Sequence, residues 1–395
     1  SSMQRFRKYT WVDSPKATMS FALLYLFFAP SLTLAQTAVP EDFKTLVDSL
    51  VVAAPKTYKE IDAVLRPFRG DTVYMNFVEE RAAKINYLDG QTYALNQLGR
   101  KYRDISKYTR SLFFHQKAYT IAKAAKNLEF EVYSLNMMSV VFRKTDAIKS
   151  ALDYSQKALM LAENVETPSI GLKRSMNVSY NTIGNIYMIL ERYDLAIERF
   201  KKSIEIDEEL NNDLGLAINY ENIGECYEAQ GRLDKALENF NKSLSYNEKI
   251  DSDRGRVICK YGIAHVYVHQ NKAKEALVLL ESVLPVAIDL GDQAITSEVY
   301  INMGCAFTAL KRYEEAEDHL LKGREIATQF KLLGEISEAD KFLSDLWIEK
   351  GDFKKALEYY KSSGHFKEVI ATEQNLRYVN DVIYDHEYEK KNNEI

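Results

Sequence analysis

Proline and cysteine are both scarce in this sequence. Seven prolines in 395 residues leave long stretches with no ring to break a helix. The three cysteines, Cys226, Cys259 and Cys305, contain no CxxC pair, which excludes a disulfide framework or a zinc knuckle and leaves them as core thiols. No phosphate-binding GxxxxGK loop, dinucleotide GxGxxG, nucleophile elbow GxSxG or HExxH occurs, and no set of strands is available to carry such motifs. No cofactor is called for, and no enzyme is expected within this chain. Nucleic acid is excluded as the main partner, because 52 Lys and Arg against 57 Asp and Glu give a net charge of −5 with no basic stripe.

What the sequence has in quantity is self-similarity. The stretch Leu216–Leu244 reads as two amphipathic helices joined at Gln230-Gly231-Arg232, and it recurs at a step of 40 residues. Gly184, Gly224, Ala264, Gly304 and Ser344 share one column; Ala196, Ala236, Ala276, Ala316 and Ala356 share another. Tyr187, Tyr227, Tyr267, Phe307 and Trp347 form a third column, and Phe200, Phe240, Leu280, Leu320 and Tyr360 a fourth. Small residues placed where two helices cross, with large ones beside them, are the pattern of stacked hairpins. The same columns find two weaker repeats, at Gly99, Tyr102, Ser111, His115 and Ala118, and at Ser139, Phe142, Ala151, Ser155 and Ala158. Extra residues before the third repeat read as a loop around Thr167–Gly171. The links Asn211–Gly215, Asp251–Gly255 and Gly291-Asp292 carry the Asn and Asp residues that cap helices. Asp251-x-Asp253-x-Gly255 lacks the later ligands of a calcium loop.

These columns resemble the tetratricopeptide repeat over residues 92–365, with small-x-x-aromatic on the first helix and Ala-x-x-x-Phe-x-x-small on the second. The repeat is longer than the family's usual ~34 residues, and the proline that often ends the second helix is missing. The resemblance implies an all-α, right-handed superhelical solenoid of seven hairpins whose first helices line a concave, peptide- or protein-binding face. Residues 36–91 read as N-terminal capping helices and 366–395 as a C-terminal capping or linker helix. That last helix has a short heptad at Val369, Leu376 and Ile383, which could support self-association.

The N-terminus has the layout of a secretory signal over residues 1–35. Arg5, Arg7, Lys8 and Lys16 precede the apolar run Phe21–Ala29, and Thr33-Leu34-Ala35 offers a cleavage site. An uncleaved anchor is the alternative. The expected location is periplasmic, with a membrane tether only through that signal or a segment outside this chain. The whole resembles the extracytoplasmic repeat region of bacterial membrane sensor histidine kinases and regulators, whose kinase output would lie beyond Ile395. A free periplasmic scaffold is the competing reading.

The candidate ligand-binding residues follow from the implied concave face. Asn96, Asn136 and Asn181 share a column three residues before the crossing position, where amides could bond an extended peptide backbone. Asn185, Glu225 and His265 follow the crossing position, with Arg100 at one end and Glu221 near the middle. His265 and His269, four apart, share a helix face, but the sequence names no third ligand and no metal is assigned.

Overall fold

The protein is described here from a computed structural model covering residues 39–365, apart from 106 and 146, together with 368. The expected signal, residues 1–35, and nearly all of the expected C-terminal helix lie outside the described residues. The described residues form helices joined by short turns, with no β-strand among them. In order these are α1 (Glu41–Ala53), α2 (Tyr58–Leu65), α3 (Thr72–Lys84), α4 (Leu88–Asp104), α5 (Tyr108–Ala124), α6 (Leu128–Lys144), α7 (Ile148–Glu163) and α8 (Ile170–Ile189). They continue with α9 (Tyr193–Glu209), α10 (Asp213–Ala229), α11 (Leu233–Lys249), α12 (Asp253–His269), α13 (Ala273–Leu290), α14 (Gln293–Ala309), α15 (Tyr313–Gln329) and α16 (Leu333–Glu349). A final helix, α17, is described over 353–365. The architecture is all-α, with sequential helix packing of the tetratricopeptide-like solenoid type.

The chain divides into two compact units. The first holds, of the described residues, 39–141 and 161–172. Its α1 buries Phe43, Val47, Leu50 and Val51, the i, i+4, i+7, i+8 stripe of an amphipathic helix, in one core with Ile61, Leu65, Met75, Val78 and Tyr93. Asp62 of α2 is the polar anchor, accepting from Tyr93 Oη at 2.8 Å, Arg69 at 2.7 Å and Arg66 at 2.9 Å. Burial opposes its charge, but the Tyr93 hydroxyl and the two guanidinium groups hold the carboxyl below its ordinary range. Also in this unit, α8 starts at Ile170, so part of the expected loop is helical; Ser169 Oγ accepts from Leu172 N at 3.1 Å and caps it.

The second unit holds residues 142–160 and 173–365 of the described chain. Its first helices α10, α12, α14 and α16 pack directly on one another, while each second helix fills the groove between two of them. Every first helix ends alike. Residues 191, 231, 271, 311 and 351 take a left-handed φ of 58–80°, and the next N–H returns to the aromatic column, as in Arg232 N to Tyr227 O at 2.8 Å and Arg312 N to Phe307 O at 2.9 Å. The cation after the turn then covers the ring it has bonded: Arg232 lies 4.8 Å from the Tyr227 centroid and Arg312 4.6 Å from that of Phe307. The links between hairpins cap the next helix as expected. Asn212 and Asp292 accept from the N–H groups of Gly215 and Ile295, while in the middle link Ser252, and not an Asp or Asn, accepts from Gly255. Asp251 and Asp253 pair with Arg256, in keeping with a capping and not a calcium loop.

The crossing columns are close-packed. A Cβ placed on Gly184 would stand 2.7 Å from the ring of Phe200, one on Gly224 3.0 Å from Phe240, and one on Gly304 2.4 Å from Leu320 Cγ. The fourth column fails at its last member. Phe200, Phe240, Leu280 and Leu320 are fully enclosed, whereas Tyr360 is 66% exposed. Opposite it stands Ser344, whose hydroxyl bonds Ala356 O at 2.8 Å, and Tyr359 packs against the core instead.

Candidate functional site

In the second unit the packed first helices present an inner surface. Along it His265 of α12 reaches Phe342 of α16, two hairpins on, with ring centroids 6.3 Å apart. The column just after the crossing residue runs Asn185, Glu225, His265, Cys305 and Asp345, polar or ionisable in five successive hairpins. Glu225 is buried, His265 and Cys305 half-buried and Asp345 exposed, so the column opens toward the C-terminal end. Further carboxylates, Glu221 on α10, Glu298 on α14 and Glu335 and Glu338 on α16, are buried on the same first helices. Of the residues expected at a binding face, Glu221, Glu225, His265 and His269 fall on this run of helices.

The asparagine ladder has a different place from the one expected. Asn96 is wholly enclosed; its Nδ2 donates to Ser134 Oγ at 3.0 Å and its Oδ1 meets His115 Nδ1 at 2.8 Å. Asn136 is 1% exposed. Asn181 donates to Asn219 Oδ1 at 3.1 Å, and Asn185 donates back to Asn181 O at 2.8 Å. The physical reason is position: a residue three before the crossing glycine lies in the seam between consecutive first helices, where an amide bonds the next repeat. The seam widens into a network at Asp207 of α9, which accepts from Asn177 at 2.6 Å and from Asn212 and Asn219 at 2.8 Å. Burial raises its carboxyl above the ordinary value, against the pull of the three amides. One repeat later Asn247 and Cys259 stand in the positions of Asp207 and Asn219, and the seam is nearly neutral. Arg100 is likewise covered, in the first unit. Tyr58 of α2 accepts from it at 3.4 Å and from Gln97 at 3.3 Å, and stacks on Tyr133. The nearby Tyr133 and Tyr58 hydroxyls favour the Arg100 cation, against burial.

His115 fills, in the first unit, the place that phenylalanine fills in later repeats. Its ring lies over Gly99, where a Cβ would come within 2.5 Å, and its Nε2 is buried with no hydrogen-bond partner. Burial first, then Arg103 and Arg100, push its pKa well below the ordinary 6.5. The folded state therefore keeps it neutral while the unfolded chain takes a proton below about pH 6.5, so its contribution is intact above that value and lost as pH falls. The loss should approach about 1.4 kcal/mol per pH unit. His115→Phe should flatten the acid limb of stability between about pH 5 and 6.5. At neutral pH it should cost about 1 kcal/mol for the lost Asn96 bond. Urea melts across pH read this directly, and an unchanged acid limb would assign the loss elsewhere.

The two histidines of α12 find a neighbour that the sequence does not name. Glu228, near the end of α10, accepts a hydrogen bond from His265 Nδ1, and the rings of His265 and His269 meet edge to face at 4.7 Å. One donor atom from each of Glu228, His265 and His269 lies within 4.8 Å of the other two. The three thiols are free, and burial raises all of them, Cys259 to about 12.

Comparison with known proteins agrees with the fold. The tetratricopeptide repeat family model matches residues 175–249 and 256–329, and the chain carries tetratricopeptide repeats there. No curated protein matches the sequence. Among solved structures, the apo form of RapI superposes with a TM-score of 0.62 at 17% identity, covering 71% of this chain and 99% of its own. A Rap protein complexed with competence and sporulation factor gives 0.62 at 12% identity, covering 84% of this chain and 99% of its own. The Rap conjugation gene regulator of plasmid pLS20, in complex with the Phr* peptide, gives 0.59 at 15%, covering 84% and 96%. At these identities the likeness is one of fold. No helix among the described residues is long and apolar enough to cross a membrane.

Proposed function

We propose that this chain is a non-catalytic peptide-binding module whose ligand lies along the inner surface of α10, α12, α14 and α16. The observation that carries the reading is the ionisable column Glu225, His265, Cys305 and Asp345 on first helices that pack directly together. Two structures of similar fold were solved with a bound factor or peptide, which supports a peptide in preference to a small molecule. Glu225, the half-buried Glu228 and the exposed Asp345 place carboxylates along this surface, so a Lys- or Arg-bearing peptide is the complementary ligand. Exposure of the chain to an arrayed peptide library tests this. Cationic peptides should be retained and released by salt, whereas retention blind to charge would overturn the preference.

The leader-like residues 1–35 support a place outside the cytoplasmic membrane, as the sensory part of a membrane signalling protein. Intact-mass analysis of the natively expressed protein should give a mature chain starting at Gln36. A chain that keeps Phe21–Ala29 in the membrane fraction would favour an anchor.

A further inference from the structure

We propose that Glu228, His265 and His269 form a binding site for a borderline transition-metal ion, with Zn²⁺ as its reference ligand. Three observations carry it, none depending on the peptide reading. The first is spacing: His265 and His269 sit one turn apart on α12, and their rings already meet at 4.7 Å. The second is convergence from another hairpin. Glu228 is separated from His265 by 37 positions, yet α10 and α12 pack together and bring its carboxylate to His265 Nδ1.

The third is the donor set. One atom from each residue lies within 4.8 Å of the others, whereas a tetrahedral zinc ion with bonds of about 2.0–2.2 Å sets its ligand atoms about 3.3 Å apart. The remaining contraction is a side-chain movement, and it falls to His269, which is exposed. Two imidazoles and one carboxylate suit zinc, nickel or copper, and disfavour calcium and magnesium, which take oxygen ligands.

The metal would replace the hydrogen bond between His265 Nδ1 and Glu228, with His265 bound as the neutral imidazole that carries its N–H on Nε2. Phe342 of α16 lies against the His265 ring and walls the site on one side. A metal held this way ties the C-terminal end of α10 to that of α12, one hairpin to the next. Three protein ligands leave a fourth position for water or for a donor group of a bound partner.

The test uses the untagged full chain, stripped of metal by chelator and titrated with Zn²⁺ by calorimetry. We expect one equivalent bound and a raised melting temperature. His269→Ala should lower affinity by more than about a hundredfold, beyond what loss of an outer-shell partner alone causes, while leaving the metal-free melting temperature unchanged. Glu228→Gln should weaken binding similarly, and His319→Ala, at a half-buried histidine outside the cluster, should leave it intact. Co²⁺ substitution should give a spectrum without a thiolate charge-transfer band. Failure of the wild-type chain to bind Zn²⁺, equal binding by His269→Ala, or a thiolate band assigning the metal to a cysteine would each overturn the site.

Discussion

Phe240→Ala should lower the stability of the second unit by about 3–5 kcal/mol, the range for deleting a fully enclosed aromatic ring. The ring has no exposed surface and lies between two glycines of different hairpins. A Cβ on either Gly224 or Gly262 would come within 3.0 Å of it. Collapse around the lost ring is limited, because the crossing of α10 with α11 and the stacking of α12 are both set by that contact. Chemical denaturation should show a lowered midpoint. In a stack of nearest-neighbour units, the loss should also uncouple the hairpins on either side and broaden the transition. A loss below about 1 kcal/mol would mean that the repeats close over the gap and that the glycine columns do not set the crossing.

Arg324→Ala should cost about 3 kcal/mol, and the double change with Asp340→Ala should restore much of it. Arg324 Nε meets Asp340 Oδ1 at 2.5 Å and its Nη2 meets Oδ2 at 3.4 Å, while Ser362 donates to the same carboxylate at 2.7 Å. Asp340 is fully buried, whereas the Arg324 side chain is 33% exposed. Removing the arginine thus leaves a buried charge with a hydroxyl for company. That penalty is typically 3–5 kcal/mol, and the partly solvated arginine sets the expectation at its lower end. Removing both groups abolishes the stranded charge, so the cycle separates the cost of isolation from the worth of the pair. Equal losses in the single and double variants would show that Arg324 acts through packing alone.

The repeat architecture was legible because it is written in residue size and recurs. Gly184, Gly224 and Gly304 against Phe200, Phe240 and Leu320 define the crossings, and Asn212, Ser252 and Asp292 mark helix starts where local capping chemistry decides. Three things were not legible, two of them because they depend on a neighbour in another repeat. Asn96 and Asn181 read as face residues, but their amides are committed to Ser134 and Asn219, each 38 positions further on. Tyr360 occupies a column of large enclosed residues, yet is exposed, while Ser344 at that crossing bonds Ala356 O. Glu228 carries no mark as a partner of His265, since the repeat at its own position runs Met188, Glu228, Val268, Thr308 and Ile348. Cations over the aromatic column, as with Arg232 and Arg312, could have been found by extending the columns past the turn.

Glu225→Gln is the direct probe of the inner surface, because it keeps the shape of a buried side chain and removes its charge. The measurement is fluorescence anisotropy of a cationic peptide retained by the wild-type chain, titrated at two salt concentrations. A peptide lying on α10 and its neighbours predicts binding weakened roughly tenfold, with a smaller salt dependence and an unchanged melting temperature. The same affinity and salt dependence in wild type and variant, with both fully folded, would contradict it.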